Sequence, residues 1–240
     1  MFERPHHQRI ARVLESLDAD LLLKNRCLFG GGTAIALANG EYRESVDIDF
    51  ICSSVDGYRE LRSLVNQGGI DALFKTPLPK LREPRIDQYG IRCALAVDGL
   101  SVKFEIVFEG RVALADPGPD DQLCGVRTLA RDDRVATKLM ANSDRWADDA
   151  VMSRDLIDLA MLSETGKLPR AGVEKARHAY GDSVVSDLGK ARQHLLGRPG
   201  RLALCMKRMG ITMPRSTLQA RIEALSFDDD EAKPARRRRA

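Results

Sequence analysis

Asp47 and Asp49, separated by one residue in VDIDF, are the residues whose type and spacing point most directly to chemistry. On a strand, successive side chains face opposite ways. Val46, Ile48 and Phe50 are therefore expected in the core, with Asp47 and Asp49 projecting together from the other side. Two carboxylates on one face repel unless a cation lies between them. Hard oxygen ligands of this kind suit Mg²⁺, which keeps several waters and completes its shell with substrate phosphates. Upstream, in LFGGGTAIAL, Gly31 and Gly32 have no side chains, so backbone N–H groups can approach a phosphate closely. A helix starting near Thr33 adds its positive end to the same place. The order is thus a phosphate cradle followed by a metal dyad.

A third carboxylate comes from VKFEIVF. Val102, Phe104, Ile106 and Phe108 share the apolar face of a strand, which puts Glu105 on the opposite one. Glu105 on a strand beside the dyad would complete a two-metal site; the alternative is an exposed strand glutamate. Further on, Lys138 and Arg145 are seven residues apart and lie on nearly one face of a helix, where either could reach a triphosphate. A lysine there suits neutralisation of charge building on phosphate oxygens, the alternative being one more surface lysine. Asp155 and Asp158, three apart, share a helix face, and Arg154 could pair with a carboxylate nearby.

These residues carry a resemblance. GGGT, a short helix and then RESVDIDF resemble the nucleotidyltransferase superfamily that includes DNA polymerase beta, whose signature is a glycine pair followed by aspartate, hydrophobic residue, aspartate on a strand. The fuller resemblance is to its AbiEii/AbiGii branch, the MenT-like toxins of type IV toxin-antitoxin systems. KLMANSDR, from Lys138 to Arg145, resembles that branch's K-L-x-A-x-x-x-R, and RDLIDL, from Arg154, resembles its R-D-x-x-D-L. The motifs follow the family's order from about residue 28 to 159; beyond Gly166 nothing comparable is found. The gap from Gly32 to Asp47 is longer than usual for the superfamily, which loosens the placement of a connecting helix at Asn39 to Glu44.

The resemblance implies a minimal nucleotidyltransferase domain with a small mixed sheet, followed by a helical domain. It implies transfer of a nucleoside monophosphate from an NTP to an acceptor hydroxyl, with Mg²⁺ as cofactor. Asp47, Asp49, Lys138 and Asp155 would be catalytic, Asp155 by orienting Lys138 or the acceptor, and Asp158 would be a cap or salt-bridge partner. Gly31, Gly32, Thr33 and Arg145 would hold phosphate, and Asp47, Asp49 and Glu105 the metal. RNA is the implied acceptor, for some members the 3′ end of tRNA, and a cognate antitoxin the implied protein partner. Antibiotic and protein nucleotidyltransferases use the same domain. A non-catalytic nucleotide-binding module is the remaining alternative, against which intact Asp47, Asp49 and Lys138 weigh.

The elements that must position these groups can be read from periodicity. Ile10, Val13, Leu14, Leu17, Leu21 and Leu22 predict a helix over Gln8 to Asn25. Asp98-Gly99 joins two strands as a hairpin, so the N-terminal half is mixed α/β. Lys75 to Gln88, with three prolines and four basic residues, reads as an exposed basic loop. The Pro- and Gly-rich stretch Ala115 to Gly125 marks a boundary between residues 1–114 and a helical region, 115–226. In that region helices are predicted at Asp132–Trp146, Asp149–Ser163, Val173–Leu196 and Leu202–Met209. A disordered charged tail is expected over 227–240.

Composition sets outer limits. The chain has 240 residues, 43% apolar and 30% charged, with a net charge of +3, too polar for a membrane protein and too near neutral for net charge to identify an RNA binder. Neither a long apolar run nor a secretory leader is apparent, which predicts a cytoplasmic location without membrane partners. Five scattered cysteines read as reduced and mostly buried. His6 and His7 are placed at a frayed terminus and His178 and His194 on a surface helix, with no role assigned to any.

Overall fold

The computed structural model describes residues 2–163 and 165–227. The expected charged tail lies outside the described residues from 228 onward. Five strands, β1 (Cys27–Gly30), β2 (Asp47–Cys52), β3 (Arg85–Ile86), β4 (Gly90–Val97) and β5 (Leu100–Phe108), form one mixed sheet in the order β1-β2-β5-β4-β3. The β2–β5 pair is parallel and the other pairs antiparallel. Asp98 and Gly99 turn the β4–β5 hairpin with φ of 51° and 73°, the left-handed pair a two-residue hairpin requires.

One sheet face is apolar. Ile48, Phe50 and Cys52 of β2 are buried, as are Val102, Phe104 and Ile106 of β5. Phe29, Phe50 and Phe104 form a row across three strands, with ring centroids 5.5 and 5.8 Å apart. This core also holds Ile10, Val13 and Leu14 of α1 (Pro5–Ser16), Leu22 of α2 (Ala19–Lys24), Ala34 and Leu37 of α3 (Gly31–Ala38), and Tyr58, Leu61 and Val65 of α4 (Val55–Gly68). Val46 departs from the expected pattern. It precedes the strand, which starts at Asp47, and its side chain is 42% exposed.

The predicted helix over Gln8–Asn25 is two helices. Leu17 leaves the helix to bridge Phe74, and the Asp18 carboxylate caps α2 by accepting the Leu21 N–H at 3.0 Å. No helix forms over Asn39–Glu44, because Gly40 and Glu41 adopt φ of 70° and 53°. The basic loop is largely irregular, but its end, Arg85–Ile86, becomes edge strand β3.

The helical half comprises α5 (Arg131–Arg145), α6 (Arg154–Leu162), α7 (Arg170–Tyr180), α8 (Ser183–Leu196), α9 (Arg201–Arg208) and α10 (Arg215–Ala224). The helix predicted over Asp149–Ser163 starts only at Arg154. Residues 149–151 form a separate 3₁₀ turn, and Met152 and Ser153 adopt φ of 55° and 53°. Val173–Leu196 is divided by Gly181, at φ 69°. α10, which periodicity does not predict, buries Leu218 and Ile222. Two short pairs complete the fold: β6 (Gln122–Leu123) with β7 (Val126–Arg127), and β8 (Lys167–Leu168) parallel to β9 (Ser226–Phe227).

α3 links the two halves. Ala34 and Leu37 join the sheet core, while Ile35 and Ala36 pack with Leu139, Leu156 and Ala160 of α5 and α6. The glycines opening α3 are thereby fixed between sheet and helices. Among the described residues, all five cysteines are free, four of them buried, and no helix is long and apolar enough to cross a membrane.

Candidate active site

The polar face of the sheet meets α3, α5 and α6 at a cavity of about 360 Å³ lined by Gly31, Gly32, Thr33, Asp47, Asp49, Glu105, Lys138 and Arg145 among others. Strand register explains the grouping. Gly30 pairs with Asp49 and Asp49 with Glu105, while Asp47 pairs with Lys103. The alternation that buries Ile48 and Phe50 on one side therefore turns Asp47, Asp49 and Glu105 to the other.

Gly31 has a φ of +67°, and a Cβ there would lie 2.5 Å from Asp49 Oδ2. A Cβ on Gly32 would collide with Arg43 Nη2. Only bare backbone fits at this turn, and the first N–H groups of α3 have no partner within the helix. Thr33 lines the same cavity. It is buried, and its hydroxyl bonds the Asp47 carbonyl and, at 2.8 Å, the Ser45 hydroxyl. Its side chain ties α3 to the start of β2.

Lys138 is buried, which excludes the surface-lysine alternative. Its Nζ lies 2.9 Å from Asp155 Oδ1 and 2.8 Å from Asp158 Oδ2. Arg145 grips Asp155 through Nε at 2.7 Å and Nη2 at 2.9 Å. Asp158 accepts from Arg43 Nε at 2.7 Å, from Arg43 Nη2 at 3.0 Å and from the Tyr42 hydroxyl at 2.6 Å. Burial opposes ionisation of Asp155 and Asp158, yet Lys138 and the two arginines hold both carboxyls below the usual carboxylate range. Burial likewise opposes the Lys138 charge, which Asp158 and Asp155 restore and raise.

Arg154 lines the cavity and makes no ion pair among the described residues. Glu105 is held from both sides, by Arg92 Nε on Oε1 and by Lys103 Nζ on Oε2, each at 2.7 Å. His7 is not frayed but wholly buried on α1. Its Nδ1 lies 2.7 Å from Glu41 Oε1, and its Nε2 accepts the Ser45 N–H at 3.2 Å. Tyr42, Arg43, Arg92, Lys103 and His7 were missed as site residues. Arg43, four residues before Asp47 in RESVDIDF, carried the only local signal.

The donor chemistry fits a hard divalent cation. Burial pushes the Asp49 carboxyl up, Lys103 pulls against this, and the neighbouring charges of Asp47 and Glu105 push it further. A cation of charge two beside Asp47 and Asp49 relieves that strain with ligands of the type such ions prefer. Among the described residues, no group of three or more His, Cys, Asp or Glu side chains surrounds a single metal position. The dyad would therefore contribute two ligands, leaving others to water and phosphate.

The model of the nucleotidyl transferase AbiEii toxin family, type IV toxin-antitoxin system, matches residues 12–238. Among solved structures, JHP933 from Helicobacter pylori superposes with a TM-score of 0.51 at 16% identity, covering 92% of this chain and 90% of that one. A candidate nucleotidyltransferase from H. pylori gives 0.49 and 16%, covering 90% and 89% of the two chains. The JHP933 likeness establishes a shared fold. No curated protein matches the chain.

Proposed function

The chain belongs to the AbiEii nucleotidyltransferase toxin family of type IV toxin-antitoxin systems, and from that premise we propose that it moves a nucleoside monophosphate from an NTP to the 3′ hydroxyl of an RNA, tRNA in particular. The family implies an enzyme with an NTP substrate, a divalent metal and a cognate antitoxin. Mg²⁺ and the tRNA acceptor are our own specification. The observation that supports the reading is the close approach of Gly31 to Asp49 in a cavity that Asp47 and Lys138 also line.

In this reading Asp47 and Asp49 hold Mg²⁺, which supplies charge neutralisation at the phosphoryl group when bound. Backbone N–H groups of Gly31, Gly32 and Thr33 receive the β- and γ-phosphates. The acceptor oxygen forms a bond to the α-phosphorus, the bond to the bridging oxygen breaks, pyrophosphate leaves and the acceptor proton passes to solvent. Lys138 offsets negative charge on the transferring group, while Asp155 fixes Lys138 and Arg145. Glu105 acts beside the dyad, its carboxylate already held by Arg92 and Lys103. Residues 1–114 contribute cradle and dyad, and 115–226 close the cleft with Lys138 and Arg145.

Incubation with Mg²⁺, each labelled NTP in turn and total RNA tests this. Label in tRNA supports the reading. Label in protein or a small acceptor moves the acceptor assignment, and label in none of the three overturns the transferase mechanism.

A further inference from the structure

We infer that the polar sheet face running from β5 to β3 is the track on which the RNA acceptor lies. The inference rests on the reaction proposed above and deepens it by locating the acceptor. An in-line displacement sets attacking and leaving oxygens on opposite sides of the phosphorus. Gly31, which with Gly32 receives the leaving pyrophosphate in that reaction, follows directly from β1 and adjoins Asp49 on its β1 side. The acceptor therefore approaches from the opposite side, over β5 and β4.

The register shows what waits there. Asp49, Glu105, Arg92 and Arg85 pair successively across β2, β5, β4 and β3, and directly paired residues share a face. Three strand spacings make this row roughly 14 Å long, enough for the end of a single strand. Its charge turns from anionic at the dyad to cationic at the sheet edge. Arg92 is matched by Glu105 and by Asp87, at 2.7 and 2.9 Å. Arg85, directly opposite Arg92, is exposed and makes no ion pair among the described residues, and neither does exposed Arg82. Arg85 is thus the cation in this row without a carboxylate beside it, and a phosphate there would be its counter-ion. Tyr89, in the turn between β3 and β4, is 65% exposed and offers a ring for base stacking at the end of that hairpin. Strand pairing thus places an unpaired cation on the approach opposite the leaving group, with an exposed aromatic in the adjoining turn.

A second cavity, of about 310 Å³, shares Asp47 and Arg154 with the first and is also lined by His6, Glu44 and Arg208. It is the rival entrance, and Arg208→Glu reports on it. The test measures binding of a short 5′-labelled single-stranded RNA with a free 3′ hydroxyl across a salt series, on the full chain. Arg82→Glu/Arg85→Glu should weaken binding at least about tenfold and flatten the salt dependence by roughly 0.7 in log–log slope for each phosphate left without its arginine. Tyr89→Ala should weaken it roughly tenfold with the slope unchanged, because stacking releases no counterions. Arg208→Glu should bind as wild type. Thermal melts confirm that these surface variants fold. The track is overturned if the wild type does not bind RNA, if the double variant keeps wild-type affinity and slope, or if Arg208→Glu produces the loss instead. Label transfer by the wild type is scored separately, so a failed track leaves the transfer reaction standing and failed transfer is seen on its own.

Discussion

Gly31 and Asp49 touch. A Cβ on the first residue of α3 would come within 2.5 Å of the Oδ2 of the second carboxylate of β2. Cradle and dyad are therefore one packing unit, formed because β1 runs straight into α3 while pairing with β2 at Gly30 and Asp49.

Gly31→Ala should damage that unit twice. The φ of +67° strains an alanine by about 1–3 kcal/mol, and its methyl group displaces the Asp49 carboxylate. A fall of this size in urea-unfolding stability, with at least about a tenfold loss of label transfer, is the expected outcome. Wild-type transfer by the variant would show that Asp49 need not occupy its present position.

Asp49→Asn separates catalysis from stability. Burial first, and the charges of Asp47 and Glu105 as well, raise the Asp49 carboxyl pKa. A raised folded pKa contributes stability below the unfolded carboxyl value, and that contribution is lost as pH rises through the folded value. At neutral pH the ionised side chain is thus a net cost. Asn should raise the melting temperature while abolishing transfer. Mg²⁺ should raise the wild-type melting temperature and leave that of Asp47→Asn/Asp49→Asn unchanged. A dyad variant that retains the Mg²⁺ shift or the activity would refute the metal assignment.

The dyad, hairpin and long helices were legible because each is a local pattern: alternation of two, a turn requiring positive φ, apolar spacing near 3.6. The parts that assemble the site were not. Register alone pairs Asp49 with Glu105, and no sequence spacing between β2 and β5 reveals it. The helix breaks at Leu17 and at Met152–Ser153 arise from tertiary contact and local backbone geometry rather than Pro or Gly. The burial of His7 depends on Glu41 and Ser45, more than thirty residues away in sequence.

Lys138→Met should be costly for the fold as well as for transfer. Removing the ammonium leaves Asp155 and Asp158 buried with less compensation, a loss of about 3–5 kcal/mol. Both carboxyls have folded pKa values below the ordinary one despite their burial. Their stabilisation is present above the unfolded carboxyl pKa and lost as pH falls through the folded values. The variant's orphaned carboxylates take up protons more readily than the wild type's. The stability gap between the two should therefore narrow on acidification from neutral pH to about pH 3. Equilibrium unfolding at a series of pH values measures it, and a constant gap would mean that Lys138 contributes little to holding the carboxylates ionised.

His7 should make stability depend on pH in a different window. Its Nε2 accepts the Ser45 N–H, so the neutral ring carries its proton on Nδ1 and donates to Glu41. Burial lowers the folded pKa below 6.5, with Arg4 acting in the same direction and Glu41 and Glu44 opposing. The unfolded chain therefore takes up the proton first, and stability present above pH 6.5 declines as pH falls through the folded value. His7→Gln should flatten this slope while leaving the acidic carboxylate transition in place. The consequence extends to the site. Ser45 holds the Thr33 hydroxyl, Thr33 holds the Asp47 carbonyl, and release of the Ser45 N–H loosens the strand start that aims the dyad. A fall in the rate of label transfer larger than any change in NTP KM would mark His7 as a positioning residue. An unchanged rate together with an unchanged pH slope would reduce it to packing.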